Sequence, residues 1–271
     1  MDARMNKVAV VTGAADGIGW ATAQRWALEG YRVALLDMRT EAVLARASEL
    51  GQAHIGLTCD VTSEAGVTSA IATVMAAFGR IDVLVNNAGI GDQAGATVAQ
   101  NVEAFDRVLA VHLRGTFLVS QAVARVMLEA TPDAGGARGS IVNLGSIASS
   151  IGLPARNAYS AAKAGIVGMT RAMASEWARD GIRVNAVAPG YVRTALVVEL
   201  ERKGALDAKG IAHRTPLARM AEPAEIAEAI IFLGSNRASY ITGAVLPVDG
   251  GWTAFGAPES TLRPVAEQVC A

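Results

Sequence analysis

The sequence predicts an α/β fold built around a doubly wound parallel sheet with helices on both faces. Short, apolar, β-branched runs such as Val8–Val11 and Ile81–Val85 alternate with segments of helical periodicity at regular spacing. These runs are apolar throughout, as in strands that helices cover on both sides. Strands and helices that alternate in this order form a parallel sheet with right-handed crossovers.

Length, composition and charge exclude several classes of protein. Of the 271 residues, 52% are hydrophobic and 18% charged, which excludes a disordered chain and predicts a sizeable core. The net charge of -1 gives no electrostatic basis for binding nucleic acid or an anionic membrane. No apolar run approaches the roughly 18 residues of a membrane span, and the N-terminus lacks a signal core. Cys59 and Cys270 form neither a disulfide framework nor a metal-ligand spacing, so we expect a cytoplasmic protein without a bound metal.

The first strand, Val8–Val11, leads into a glycine-rich loop and a helix at Trp20–Glu29. Glycines let the backbone approach a diphosphate closely, and a helix N-terminus presents free N–H groups and a positive dipole end. The spacing is GxxxGxG rather than GxGxxG, and an ordinary glycine-rich turn is the alternative. The candidate nucleotide-binding residues of this loop are Gly13, Asp16, Gly17, Ile18 and Gly19.

The second strand, Tyr31–Leu36, is closed by Asp37, which lies 18 residues beyond Gly19. An acid at about this distance hydrogen-bonds the adenosine ribose of a dinucleotide, and it repels a 2′-phosphate. Asp16 adds a second negative charge, whereas Arg39 favours a phosphate or stacks on adenine. Because two carboxylates repel a 2′-phosphate and only one arginine attracts it, the sequence predicts NAD rather than NADP as the cofactor. The alternative is that Asp37 caps the next helix.

Two further strands, His54–Thr58 and Ile81–Val85, are followed by Asp60 and Asn87. Parallel strands bring their carboxyl ends to one edge of the sheet, where ligands of doubly wound folds bind. The glycine loop, Asp37, Asp60 and Asn87 are therefore predicted to converge. This convergence indicates a nucleotide site more strongly than any single motif does.

The fifth strand, Ser140–Leu144, places Ser146 at the same edge, and Tyr159 and Lys163 follow in a helix. Residues four apart lie on one helical face, so the lysine ammonium lowers the pKa of the tyrosine from about 10 toward neutrality. Such a tyrosine exchanges a proton with a substrate oxygen near physiological pH, and Ser146 can hydrogen-bond the same oxygen. The alternative is a tyrosine packed in an amphipathic core beside a solvated lysine.

The remaining segments complete the predicted fold. One long helix, or two stacked helices, span residues 102–130, and Asn157 caps the next helix or orients a substrate, of which we favour capping. Two more strands follow at residues 182–187 and 244–248, and Pro247 suits an edge strand.

Motifs along nearly the whole chain match one family in order and spacing. They are Thr12–Gly19, Asp60–Val61, Asn86–Gly89, Ser146, Tyr159 with Lys163, Pro189–Gly190, Thr242–Gly243 and Asp249–Gly251. On these residues the chain resembles the short-chain dehydrogenase/reductase family. The resemblance implies a single Rossmann-like domain over residues 1–271, a sheet of about seven strands, and NAD(P) as cosubstrate.

The resemblance also implies roles for individual residues. Tyr159 resembles the general acid/base, Lys163 the group that lowers its pKa and binds the nicotinamide ribose, and Ser146 the group that holds the substrate oxygen. His112 stands where the family has an asparagine that helps to hold a water linked to the lysine, partly through its backbone carbonyl. A histidine keeps that carbonyl and adds a side chain that titrates near about pH 6.5, unless the fold simply satisfies its nitrogens. The other cofactor-binding residues implied are Val61, Ala88, Gly89, Pro189, Gly190, Val192 and Thr194.

The predicted function is hydride transfer between NAD(H) and a secondary alcohol or ketone, with a polyol, sugar, hydroxy acid or cyclic alcohol as substrate. The alternative is an NADPH-dependent 3-oxoacyl-carrier-protein reductase, which Asp37 and Asp16 disfavour. A catalytically silent NAD-sensing or scaffold protein is a candidate of a different class.

Family resemblance further implies a variable substrate lid at residues 191–219 and assembly as a homotetramer or homodimer. The lid begins with an apolar stretch, Ala195–Val198, which indicates a hydrophobic pocket wall or the packed face of an amphipathic helix. We expect His213 and Arg214 either to contact an anionic substrate or to be exposed to solvent. The tail at residues 252–271 is expected to pack on a neighbouring subunit or to be partly disordered.

Overall fold

The computed structural model describes residues 7–91 and 94–262, and within them seven strands form one parallel sheet. The strands are β1 (Val8–Thr12), β2 (Arg32–Asp37), β3 (Ile55–Thr58), β4 (Val83–Asn86), β5 (Gly139–Leu144), β6 (Ile182–Pro189) and β7 (Val245–Val248). Their order is β3-β2-β1-β4-β5-β6-β7, so the strand order reverses between β1 and β4. Pro247 lies in the edge strand β7, as predicted.

Helices cover both faces of this sheet, which confirms the predicted Rossmann-like, doubly wound α/β fold. They are α1 (Gly17–Leu28), α2 (Thr40–Leu50), α3 (Glu64–Phe78), α4 (Val102–Leu109), α5 (Gly115–Glu129), α6 (Asn157–Trp177), α7 (Ala195–Arg202), α8 (Ala208–Arg214) and α9 (Pro223–Gly234). Helices α1, α2 and α9 pack on one face, and α3, α5 and α6 pack on the other. In β1, Ala9 and Val11 join the first core, whereas Val8 and Val10 join the second. Two cores explain why the strands are apolar throughout.

The long helix predicted at residues 102–130 is continuous, but it contains one wider turn. Helix α4 passes into a π-helical segment, Ala110–Arg114, which passes directly into α5. A π-helical turn holds one more residue than an α-helical turn and frequently lies at a functional site. His112 is in this segment and is buried.

The start of the C-terminal tail packs on its own chain. The Trp252 ring centre lies 5.1 Å from that of Tyr191. The Arg214 guanidinium carbon lies 4.8 Å from the ring centres of both Trp252 and Phe255. Arg214 is therefore stacked against the start of the tail rather than simply solvated. Residues 263–271, which include Cys270, lie outside the described residues.

No helix in the described part of the chain is long and apolar enough to cross a membrane.

Candidate active site

Two adjoining cavities open at the carboxyl edge of the sheet. The larger cavity, of about 660 Å³, lies at the ends of β1 to β4, and the smaller cavity, of about 410 Å³, lies at the ends of β4 to β6. Asn87, Gly89, Ile90, Thr194 and Leu196 line both, so the cavities form one groove. The groove crosses the reversal point between β1 and β4, where ligands bind in open parallel sheets.

Almost every site residue predicted from the sequence lines this groove. The larger cavity is lined by Gly13, Asp16, Gly17, Asp37, Asp60, Val61, Asn87, Ala88, Gly89 and Thr194. The smaller cavity is lined by Ile18, His112, Ser146, Tyr159, Lys163, Pro189, Gly190 and Val192, together with the shared residues. Gly19 is the exception, because it is buried beneath the loop, where an added Cβ would collide with the Gly13 carbonyl.

The glycine loop is held in shape by its own backbone and by the end of β4. Gly13 and Gly17 have φ angles of +62° and +56°, in the left-handed region that favours glycine. The Asp16 carboxylate accepts a hydrogen bond from the Gly17 N–H at 2.7 Å and caps α1. Asn87 Nδ2 donates to the carbonyls of Thr12 and Gly13 at 3.0 Å each. Asp16 and Asn87 therefore shape the loop in addition to facing the larger cavity.

Asp37 is buried at the end of β2, and hydrogen bonds from two residues hold its carboxylate in place. It accepts hydrogen bonds from the Ala15 N–H at 3.1 Å and from the Arg39 N–H and Nε at 3.0 and 3.2 Å. Burial by itself raises the pKa of Asp37, but the hydrogen bonds from Arg39 and Ala15 outweigh it and hold the pKa below its usual value. Asp37 does not cap α2, whose N-cap residue is Arg39. The sequence predicted that Arg39 would favour a phosphate and that Asp37 would repel one. In the structure the two side chains form an ion pair with each other.

Ser146, Tyr159 and Lys163 meet in the smaller cavity. Ser146 Oγ accepts a hydrogen bond from the Ala148 N–H at 3.2 Å. Lys163 Nζ donates to the Leu144 carbonyl at 2.6 Å and lies 5.6 Å from the centre of the Tyr159 ring. Burial lowers the pKa of Lys163 to about 7. An ammonium so close to a phenol favours the phenolate.

His112 is packed against the edge of this site. Its Nε2 lies 3.2 Å from the Ile90 amide nitrogen and 3.0 Å from the Ile90 carbonyl oxygen, and its Nδ1 is buried without a partner among the described residues. Its ring meets the Tyr159 ring edge-on, with centres 5.4 Å apart. Its carbonyl accepts a hydrogen bond from Thr116 Oγ1 at 2.7 Å. Burial, reinforced by the charge of Lys163, lowers the pKa of His112 to about 3, so the expectation of titration near pH 6.5 is wrong.

Comparison with known proteins agrees with this architecture. A family model described as enoyl-(acyl carrier protein) reductase matches residues 13–253. An uncharacterized short-chain type dehydrogenase/reductase of Sinorhizobium fredii is 46% identical over 93% of this chain, which spans 44% of that protein's length. The chain belongs to the short-chain dehydrogenase/reductase family.

Other members of the short-chain dehydrogenase/reductase family match over nearly their whole length. D-threitol dehydrogenase of Mycolicibacterium smegmatis is 44% identical, with 91% of this chain and 93% of that protein covered. Cis-4-hydroxycyclohexanecarboxylate dehydrogenase of Sinomonas cyclohexanicum is 43% identical, with 93% and 99% covered. The crystal structure of levodione reductase superposes with a TM-score of 0.84 at 35% identity, covering 93% of this chain and 99% of that chain.

The groove of this short-chain dehydrogenase/reductase fits a nicotinamide dinucleotide. The N-terminus of α1 and the glycine loop border the larger cavity, where an added Cβ on Gly17 would come within 3.3 Å of Thr194 across the groove. Asp37 and Asp60 also line that cavity. Within the described ranges, no group of three or more His, Cys, Asp or Glu side chains is placed to hold a metal ion.

Two residues at the start of α6 were not predicted correctly. Asn157 does not cap α6, because it is the first helical residue and its Nδ2 donates to Thr97 Oγ1 at 2.7 Å. Arg156, which precedes it, lines the cavity and was missed. Its position at the start of a helix, where acidic rather than basic side chains are favoured, is the signal that could have singled it out.

The lid forms part of the apolar wall of the smaller cavity. This agrees with the interpretation of its apolar stretch as a hydrophobic pocket wall. Leu196 and Val197 of α7 line the smaller cavity, together with Ile147 and Leu153 from the turn after β5. This wall faces the cavity that holds Ser146.

His112→Asn is expected to leave the shape of the pH profile of kcat/KM unchanged between about pH 5 and pH 9. A histidine whose pKa is about 3 stays neutral over this range and exchanges no proton with solvent. Steady-state rates at closely spaced pH values measure this, with the exposed His213→Asn as control. A limb of the kcat/KM profile near about pH 6.5 that disappears only in His112→Asn would contradict a buried, neutral His112.

Proposed function

We propose that this chain is an oxidoreductase that transfers a hydride between NAD(H) and a secondary alcohol or its ketone. The observation that carries the proposal is that Ser146, Tyr159 and Lys163 line one cavity, which is continuous with the groove that holds Asp37. A relative whose printed name is D-threitol dehydrogenase, and another named for a hydroxycyclohexanecarboxylate, support an alcohol as substrate. Polyols, sugars, hydroxy acids and cyclic alcohols are the candidate classes.

The side chains of the smaller cavity supply the proton chemistry. When bound, the nicotinamide accepts the hydride in alcohol oxidation or donates it in ketone reduction. In oxidation, the Tyr159 phenolate takes the hydroxyl proton of the substrate while the hydride leaves the carbinol carbon. Lys163 stabilises that phenolate by its charge. Ser146 Oγ already accepts from the Ala148 N–H, so its own hydrogen is available to the substrate oxygen.

The preference for NAD over NADP is part of the proposal. Asp37 presents a carboxylate where the adenosine ribose would lie, and its pKa below the usual value keeps it ionised. Arg39, the cation best placed to hold a 2′-phosphate, is bound to Asp37 instead. Dimeric or tetrameric assembly and a cytoplasmic location remain predictions from the sequence.

Asp37→Ser is expected to raise the KM for NAD by about 10- to 100-fold, because hydrogen bonds to a charged acceptor are lost. The KM for NADP is expected to fall at the same time, since the change removes a repelling charge and releases the Arg39 guanidinium. Initial rates with each cofactor measure the ratio, and Asp106→Ser, an exposed acid on α4 outside the groove, is the control. An unchanged ratio of NAD to NADP efficiency would refute the role of Asp37.

The proposed function itself is tested by following the absorbance of reduced nicotinamide with a panel of alcohols and ketones and with each cofactor. NAD-linked turnover of at least one secondary alcohol is expected. Efficient NADPH-linked reduction of a 3-oxoacyl thioester, with no such alcohol oxidation, would favour the acyl-carrier-protein reductase. Tight NAD binding without turnover of any compound would favour the silent sensor.

A further inference from the structure

We propose that Arg156 binds a carboxylate on the substrate, so that the substrate is a secondary alcohol carrying an acid group at a distance from its hydroxyl. The inference rests on the proposed function, because it names the substrate class of the same cavity. It goes beyond that function by assigning a specificity residue that the family resemblance does not supply.

The smaller cavity is lined by two basic side chains and, among the described residues, by no carboxylate. Arg156 and Lys163 both line it, and no aspartate or glutamate is among its described lining residues. Lys163 is already committed to the Leu144 carbonyl beside Tyr159. A neutral polyol or sugar has no charged group for a second cation to bind, whereas an anionic substrate has one.

Arg156 is also uncommitted within the fold. Its guanidinium makes no hydrogen bond or ion pair with residues 7–91 or 94–262, whereas Arg39, Arg80 and Arg219 each pair with a carboxylate. Arg156 is the N-cap residue of α6 and makes no side-chain cap. A cation opposes the dipole at that end of a helix, so local structure does not account for it. A guanidinium binds carboxylates through two parallel hydrogen bonds, which suits recognition of this group.

The backbone around Arg156 is clamped, which fixes where its side chain starts. Ala155 has a φ of +64°, in the left-handed region that a non-glycine residue rarely adopts. Its carbonyl accepts hydrogen bonds from the Gly95 N–H at 3.4 Å and from Gln100 Nε2 at 3.1 Å. On the other side, Asn157 donates to Thr97 Oγ1 at 2.7 Å. Residues 95–100 thus hold both neighbours of Arg156, and a side chain held in this way is suited to a positioning role.

The cavity also indicates what separates the two polar ends of the substrate. Tyr159 follows Arg156 by three residues, and α6 begins between them, so the guanidinium and the phenol start about one helical turn apart. The cavity is also lined by apolar side chains, namely Ile90, Ile147, Leu153, Val192, Leu196 and Val197. A substrate with a hydroxyl held by Ser146 and Tyr159, an apolar ring or short chain, and a carboxylate on Arg156 matches this set of lining groups.

The test compares matched acids and amides with the full-length protein. We expect 4-hydroxycyclohexanecarboxylate to be oxidised at least about tenfold more efficiently than its neutral carboxamide. In Arg156→Gln, the KM for the acid is expected to rise about 10- to 100-fold, with kcat and the amide kinetics changed less than about twofold. Arg156→Lys is expected to recover part of the loss. Arg171→Gln, an exposed arginine further along α6, is the control.

A binding measurement decides the inference independently of turnover. Calorimetry with NAD present is expected to show cyclohexanecarboxylate binding at least about tenfold more tightly than cyclohexanecarboxamide, and Arg156→Gln is expected to remove the difference. Equal binding of acid and amide would overturn the inference, even if alcohols are oxidised. A preference for phosphate-bearing alcohols over carboxylates would overturn the carboxylate assignment. Acid-selective binding without oxidation of any alcohol would support the anion site and contradict the proposed function.

Discussion

Tyr159→Phe is expected to lower kcat by about 10³-fold or more while leaving the affinity for NAD within about threefold, because only the proton-transferring oxygen is removed. The ring remains, and with it the edge-on contact to His112 at 5.4 Å. The larger cavity, where the adenosine half of the cofactor is proposed to bind, is formed by other residues. Steady-state rates and equilibrium titration of NAD by protein fluorescence separate the two effects.

Tyr240→Phe is the matched control for this change. Tyr240 is fully exposed, so removal of its hydroxyl is expected to alter neither rate nor binding. Retained turnover in Tyr159→Phe would overturn the role of the tyrosine as acid and base. Loss of NAD binding together with activity would show that the hydroxyl holds the site together rather than moving a proton.

Lys163→Met is expected to have two opposite effects: a loss of activity of about 10²-fold or more, and a gain in stability of the cofactor-free protein. The ammonium that favours the Tyr159 phenolate disappears. A buried cation disappears as well, and burial is what lowers the pKa of Lys163 to about 7. The variant also leaves the Leu144 carbonyl without its donor, which offsets part of the gain. We expect a net stabilisation of about 2–3 kcal/mol at neutral or acidic pH.

The pH dependence of this stabilisation has a definite sign. The pKa of Lys163 is about 7 in the folded protein, whereas that of an unperturbed lysine is 10.5. Between these values the unfolded chain holds a proton that the folded chain has released, so the stability of the unsubstituted protein rises with pH. The cost of burying the charge is complete below about pH 7 and vanishes above about pH 10.5. The advantage of Lys163→Met is therefore largest in acid and shrinks as the solution becomes alkaline.

Thermal unfolding without cofactor, at fixed protein concentration, measures this effect. Near pH 6 the variant is expected to melt about 5–10 °C above the unsubstituted protein, and the gap is expected to narrow at about pH 9.5. Lys209→Met, an exposed lysine in α8, is the control and is expected to show no pH-dependent gap. A lower melting temperature for Lys163→Met at pH near 6, or a gap independent of pH, would contradict the burial of an unfavourable charge.

The sheet and the edge at which the site lies could be predicted because they depend on repeating local patterns. Apolar strands followed by Asp37, Asp60 and Asn87 place their ends at one edge once the strands are parallel, whatever the details of packing. Tyr159 and Lys163 needed only helical spacing to share a face.

Contacts that depend on residues far apart in the chain could not be predicted. Asn157 has a residue type suited to capping, yet Thr97, 60 residues earlier, takes its amide. The neutral state of His112 follows from its burial and from the charge of Lys163, which no spacing within the helix reveals.

The bonds between Asn87 and the glycine loop constrain how the protein is made. Asn87 contacts Thr12 and Gly13 across 75 and 74 residues of sequence. During synthesis, the loop emerges from the ribosome long before its clamp, at roughly 5–20 residues per second. The loop therefore lacks this clamp until β4 has emerged and inserted beside β1. The nucleotide-binding loop is therefore complete, and able to bind its ligand, only after β4 has paired with β1.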